Sequence, residues 1–318
     1  MSEQPKQQMQ CMEVWGGSQL TSHGVEFGGL ETWVYSKPYG QAHAGGDIYY
    51  ASSCASGRIS RLLLADVAGH GDSVAATAAD LRRLMRRFVN HLDQTEFVRL
   101  LNQQFAALSR EAVFATAIVT TLFEPSRRLT VCNAGHPRPL LYRAAQRKWE
   151  LLGDLGPGAK LGPSNLPLGI LDITEYDQFD VELECGDCLL SYTDALIESC
   201  DADGKHLGED GLLRITRLLG EKEPQALVES LINQIAARYP ENLSDDVTVL
   251  VVRATGREFR YSFREQCGAL LRFCGSLVRA LIPGSERPSF PDANLANIGG
   301  VFIPALGRRW RSANALRK

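Results

Sequence analysis

The sequence predicts an α+β fold in which mostly antiparallel strands are interrupted by two pairs of helices. Three observations carry this expectation. Apolar runs such as Leu62-Leu63-Leu64-Ala65, Leu189-Leu190-Ser191-Tyr192 and Val247-Thr248-Val249-Leu250-Val251-Val252 have the length and composition of buried strands. Short turn segments join several such runs into hairpins. Two longer regions repeat apolar residues at helical spacing instead.

In chain order, residues 25–35 alternate in stretches and lead into the turn-rich Ser36-Lys37-Pro38-Tyr39-Gly40. Residues 47–53 and 59–65 predict a hairpin across Ala55-Ser56-Gly57. Gly69-His70-Gly71-Asp72 breaks the chain, and Asp72 or Ser73 is placed to cap a helix to about residue 91. That helix repeats Leu81, Leu84, Met85 and Phe88, with Arg82, Arg83, Arg86 and Arg87 off the stripe as a solvated face. A second helix starts near Asp93 and buries Phe97, Leu100, Leu101, Phe105 and Leu108. Residues 115–123 and 128–133 form another hairpin, and 140–142 and 149–152 continue the β pattern. Residues 153–168 are rich in Gly and Pro and read as loop. Strands at 179–183 and 189–192, helices at 212–219 and 224–239, and a last strand at 247–252 complete the order.

With 44% apolar and 22% charged residues among 318, the composition is that of a globular protein with a sizeable core. The first ten residues are polar, and no apolar run approaches the roughly 18 residues of a membrane span, so a cytoplasmic location is the default expectation. Eight scattered cysteines fit reduced thiols better than a disulfide framework. Cys185-Gly186-Asp187-Cys188 lacks the second pair that a closed zinc site needs. Charge is divided unevenly. Residues 1–256 carry 23 Lys and Arg against 33 Asp and Glu, a net of −10, whereas residues 257–318 carry 11 against 4, a net of +7. The expected organisation is an N-terminal extension at 1–24, a domain at 25–256 and a basic appendage at 257–318. Within that appendage, residues 263–282 have a helical apolar stripe, read as docked on the domain, with membrane-surface contact as the alternative.

Aspartates punctuate the strand ends: Gly45-Gly46-Asp47, Ala65-Asp66-Val67, Tyr192-Thr193-Asp194 and Ser244-Asp245-Asp246. Taken singly, each suits a helix N-cap or turn. Taken together, carboxylates on rigid strand ends repel one another unless a cation lies between them. Hard oxygen donors without adjacent His or Cys favour Mg²⁺ or Mn²⁺.

In order, Gly45-Gly46-Asp47, Ala65-Asp66-Val67-Ala68-Gly69-His70-Gly71, Asn133-Ala134-Gly135-His136-Pro137, Leu166-Pro167-Leu168-Gly169, Tyr192-Thr193-Asp194-Ala195-Leu196-Ile197-Glu198 and Asp245-Asp246-Val247-Thr248-Val249 resemble the PPM family of metal-dependent serine/threonine phosphatases. The likeness is to its bacterial SpoIIE-type branch and covers about residues 25–254. It implies an αββα sandwich of two mainly antiparallel sheets flanked by helices, with two Mn²⁺ or Mg²⁺ ions at one sheet edge. By the same resemblance, Asp66 bridges the ions, the Val67 carbonyl ligates one, and Asp194 and Asp245 hold the other. Asp47 acts through water, and Asp246 is the less secure member of its pair. Gly46 and Gly69 would let backbone approach the cluster closely.

The implied reaction is direct hydrolysis of phosphoserine or phosphothreonine by a metal-bridging water, without a phosphoenzyme. The implied partner is a phosphorylated protein, with a small anti-sigma-factor antagonist in a partner-switching pathway as the natural substrate; no nucleic acid is implied. His70 is a candidate general acid. However, many PPM phosphatases place a histidine two residues after the bridging aspartate, and here it falls four after. His136 reads as a turn-fixing residue. The branch usually has glycine where this chain has Ala195, which would strain the site if that position needs φ > 0.

Rival readings are a non-catalytic phosphoprotein-binding module on the same fold, and a thiolate phosphatase suggested by the Cys132-to-Arg138 spacing. Pro137, Pro139 and the strand-like Leu140-Leu141-Tyr142 oppose the latter, because a thiolate loop should lead into a helix. A diguanylate cyclase is opposed by Ile48-Tyr49 after Gly45-Gly46-Asp47. With 24 residues before the first expected strand, regulation is expected from a separate protein, from oligomerisation or from the tail. The helix pair at 73–110 directly follows the Asp66 loop and could move the site.

Overall fold

The computed structural model describes residues 7–8, 14–54, 59–89, 91, 93–108, 113–153, 165–220, 223–239 and 245–256. The strands are β1 (Gln7–Gln8), β2 (Val14–Gly17), β3 (Thr21–Phe27), β4 (Leu30–Lys37), β5 (Asp47–Cys54), β6 (Ile59–Val67), β7 (Ala115–Phe123), β8 (Arg128–Ala134), β9 (Leu140–Arg143), β10 (Lys148–Leu151), β11 (Gln178–Glu182), β12 (Cys188–Tyr192) and β13 (Val247–Ala254). The helices are α1 (Ala75–Phe88), α2 (Gln94–Leu108), α3 (Ala195–Glu198), α4 (Gly208–Leu219) and α5 (Pro224–Arg238).

One sheet runs β1-β3-β4-β13-β12-β9-β10 and the other β11-β8-β7-β6-β5-β2. Every pairing is antiparallel except β1 with β3. The two sheets stack, and three apolar layers hold the sandwich together. Leu62, Leu64, Ile118, Val131, Leu250 and Val252 pack between the sheets. Leu63, Ala65 and Val67 of β6 face Leu81, Met85, Phe97 and Leu101 of α1 and α2. On the outer side of the other sheet, Val247, Val249 and Val251 face Leu212, Leu227 and Leu231 of α4 and α5. Both faces of β6 and β13 are therefore buried, which is why their sequences run apolar instead of alternating. Each such side chain contributes roughly 1.5–3 kcal/mol of burial.

The α+β expectation and the αββα sandwich hold. The four arginines of α1 are exposed, as a solvated face requires. Arg83 pairs with Asp80, and the Arg87 guanidinium lies 5.3 Å from the Phe88 ring centroid.

Several boundaries move. The expected extension at 1–24 contributes β1, β2 and the start of β3 to the sheets. Residues 25–35 are not one element but a hairpin about Gly28 and Gly29, whose φ values of +54° and +74° suit a pair without Cβ. Helix α4 starts at Gly208, four residues before the apolar periodicity; its first turn carries Glu209 and Asp210, favourable at a helix N-terminus. The appendage at 257–318 lies outside the described residues. Among the described residues, no helix is long and apolar enough to cross a membrane.

Candidate metal centre

Strand register gathers the aspartates. The β5–β6 pairing sets Asp47 opposite Asp66, and β6–β7 sets Asp66 opposite Thr116. In the other sheet, Tyr192 pairs with Val249, so Asp194 and Asp245-Asp246 extend from the same end. Thr193 joins the sheets: its Oγ1 donates to Asp47 Oδ2 at 2.9 Å and accepts the Thr248 N–H at 2.9 Å.

Asp246 is buried and works as an internal clamp. Its Oδ2 accepts N–H groups from Gly46 at 2.6 Å and Gly71 at 3.2 Å, and its Oδ1 accepts from Tyr39 at 2.7 Å. A Cβ on Gly45 would lie 2.4 Å from that carboxylate. The Asp246 oxygens thus hold loop backbone. Its neighbour Asp245 is partly buried, and its Oδ1 accepts the Asp246 N–H at 2.7 Å.

The carboxyl groups are electrostatically strained. Burial raises Asp66 to about 9, and Asp47, Asp194, Asp245 and Asp246 push in the same direction. Asp47 is raised well above the carboxylate range, by burial first; the hydroxyls of Thr248 and Thr193 oppose this, and Asp246 and Asp194 add to it. Burial also raises Asp194 and Asp245. Asp194 stands at the N-cap position of α3 yet makes no capping hydrogen bond there, so capping does not account for it.

A divalent cation fits this donor set. Asp47 Oδ1 is buried without a hydrogen-bond partner, and crowded carboxylates in low dielectric are relieved by positive charge. The Val67 carbonyl also reaches the cluster: a Cβ on Gly46 would stand 2.7 Å from Val67 O and 3.1 Å from Gly69 O, so glycine is required there. Gly69 itself has φ +107°. As they stand, no three His, Cys, Asp or Glu side chains among the described residues are arranged to hold a metal ion.

His70 is exposed at the rim, its ring edge-on to Tyr39 at 4.6 Å, and its charge is felt by Asp245. His136 is fully buried. Burial lowers it to about 3, and it is locked by Thr116 Oγ1 at 2.8 Å and by reciprocal bonds with Asn133. It therefore fixes the turn after β8, as expected. Ala195 opens α3 in helical conformation and is not among the residues of positive φ, so the glycine-to-alanine departure causes no backbone strain. Cys132 is buried in β8 and pushed up to about 12 by burial, which removes the thiolate reading.

Sequence reasoning passed over Thr193, although it adjoins Asp194. It also left Glu198 without a role. Burial raises Glu198, and Asp194 adds to the shift.

Comparison with known proteins agrees with this fold. The family model described as "Stage II sporulation protein E (SpoIIE)" matches residues 56–255. Stage II sporulation protein E of Priestia megaterium is 21% identical over 228 residues, 70% of this chain and 36% of that protein, so the chain spans about a third of that relative's length. The RsbU and RsbW domains of Rv1364c from Mycobacterium tuberculosis superpose with a TM-score of 0.59 at 21% identity, over 85% of this chain and 75% of that one. The PP2C phosphatase domain of SpoIIE from Bacillus subtilis, with a fragment of its regulatory domain, gives 0.59 at 16% identity, over 76% of this chain and 70% of that one. Matched across most of its sandwich and carrying the same two-sheet architecture, the chain belongs to the SpoIIE branch of the PPM-type phosphatases.

Proposed function

We propose that the chain is a Mg²⁺- or Mn²⁺-dependent protein phosphatase that hydrolyses phosphoserine or phosphothreonine directly. The observation that carries this reading is the pairing of buried Asp47 with half-buried Asp66 across β5 and β6, with Asp194 and Asp245 at the same sheet edge. Asp47, Asp66, the Val67 carbonyl, Asp194 and Asp245 would hold two ions. Bound there, the ions lower the pKa of water and neutralise phosphate charge.

The remaining work falls to the chain's own residues. Thr193 fixes the Asp47 carboxylate by donating to Oδ2, leaving Oδ1 buried without a hydrogen-bond partner. Asp246 holds the Gly46 and Gly71 backbone, and with it the approach of Val67. His70, exposed beside Tyr39, would give a proton to the departing serine oxygen. A phosphorylated anti-sigma-factor antagonist is the substrate most in keeping with the family and with the RsbU–RsbW pairing in the M. tuberculosis relative. The rival binding-module reading rested on Ala195 and loses its support with the helical conformation there.

The test is Mn²⁺-dependent hydrolysis of p-nitrophenyl phosphate and a phosphoserine peptide by wild type, Asp66→Asn and Asp194→Asn. Turnover that requires metal and drops by about 10²-fold or more in both variants is expected, the scale of losing a key electrostatic group. Metal binding without any wild-type turnover would favour the binding module instead.

A further inference from the structure

Next to the carboxylate edge lies a surface that catalysis by the aspartates does not use. Ile170, Leu171 and Ile173 are 46%, 42% and 74% exposed, and Leu108 and Phe114, in the segments that pack on Gly169, are 52% and 39% exposed. These residues come together through backbone and α2 contacts, not through burial of their side chains. Leu168 exchanges hydrogen bonds with Ala115 at 2.7 and 2.9 Å. Asn102 of α2, fully buried, accepts from Gly169 N at 2.8 Å and donates to Leu171 O at 2.7 Å. Gly169, at φ +91°, packs so closely on Val113 O and the Phe105 ring that a Cβ would meet them at 2.9 and 3.1 Å. Leu108 lies one turn beyond Phe105, and Phe114 directly follows Val113. The segment is thus held firmly by its polar groups while its largest apolar side chains point to solvent. Several large exposed apolar residues side by side mark a contact surface more often than chance.

The patch is continuous with the candidate centre. The Phe114 carbonyl accepts the Ala68 N–H at 2.9 Å, one residue beyond Val67, and Ala115 pairs with Val67. Resting on the phosphatase reading, we propose that this patch is the surface on which a folded phosphoprotein substrate lays an apolar face, presenting its phosphoserine to the carboxylate edge. A short phosphopeptide or small phosphate ester lacks that face.

The experiment uses the whole chain with Mn²⁺ and three substrates: p-nitrophenyl phosphate, a serine-phosphorylated anti-sigma-factor antagonist, and the phosphopeptide excised from it. Wild type is compared with Ile173→Asp, Ile170→Ser and the conservative Ile173→Leu. The expected result has two parts. Wild type prefers the folded phosphoprotein to its peptide by about tenfold or more in kcat/KM. Ile173→Asp and Ile170→Ser lose that preference, through a raised KM, while p-nitrophenyl phosphate turnover stays within about twofold, and Ile173→Leu retains it. Three results would overturn the proposal while leaving the phosphatase reading intact. They are no wild-type preference for the folded substrate, a wild-type dimer that Ile173→Asp dissociates with the preference untouched, and activity that rises towards all substrates as though an inhibitory tail were released. Absence of wild-type turnover on all three substrates would remove the phosphatase reading and the docking surface with it.

Discussion

Asp246 joins three backbone N–H groups, from Tyr39, Gly46 and Gly71, that are far from it in sequence. Asp246→Ala would leave those donors buried and unpaired, and a loss of about 3 kcal/mol or more in urea unfolding is expected. A neutral result would mean that the clamp does not organise the loops. At Asp66 the linkage runs the other way from an ordinary surface carboxylate. Its folded pKa of about 9 lies far above the value near ~3.9 of an unfolded aspartate. Without metal, the folded form therefore holds a proton that the unfolded form releases between these values. This stability is present below the lower value and lost as pH rises through the upper one. Melts in chelator should fall from pH 6 to pH 8.5, and Mn²⁺ should remove most of that fall; a flat chelated profile would contradict the burial of this carboxyl. Ala195→Gly should cost about 0.5–1 kcal/mol as a helical glycine and give no gain in Mn²⁺ affinity. Tighter binding in that variant would mean that Ala195 does strain the site. The aspartates themselves were legible in sequence because each adjoins an apolar strand. The clamp role of Asp246 was not, because its partners lie 175–207 residues away along the chain.

Among the elements, α1 is tied to the site at its first residues. The Val74 side chain, just before Ala75, is the neighbour that added Cβ atoms on Gly46 and Gly69 would meet at 3.1 and 2.8 Å. Further along, Leu84 and Phe88 bury against the β5–β6–β7 sheet. Phe88→Ala should cost roughly 3–5 kcal/mol as a core truncation. If α1 docking sets the loop positions, Leu84→Ala lowers Mn²⁺ affinity as well as stability. A loss of stability alone, with affinity and rate unchanged, would end that coupling. The apolar stripes of α1, α2 and α5 made these helices readable with errors of a few residues. Strand β2 escaped notice for a physical reason: Gly16 and Gly17 carry no strand signal, yet a Cβ on Gly16 would lie 2.6 Å from Tyr49 O, so close pairing at this edge demands glycine. The Leu166-Pro167-Leu168-Gly169 landmark was visible as a motif, while its hold on Asn102 depends on packing that no local pattern encodes.

Over the whole molecule, two sheets bring four acidic strand ends to one edge and send the chain towards its basic tail from the opposite one. Residues 1–256 carry a net charge of −10 and residues 257–318 a net of +7. Fold class was readable because strands such as β6, β12 and β13 run apolar, whereas the layer order came from the family resemblance. Which carboxylates meet across the sheets was not, since that depends on register between strands distant in sequence. The central claim is that the edge is a centre for two divalent ions, and calorimetric titration of metal-free protein with Mn²⁺ tests it most directly. Two ions per chain for wild type, with Asp66→Asn losing both and Asp194→Asn losing one, is the predicted result. Folded wild-type protein that takes up no Mn²⁺, or that binds it undiminished in Asp66→Asn, would contradict the account.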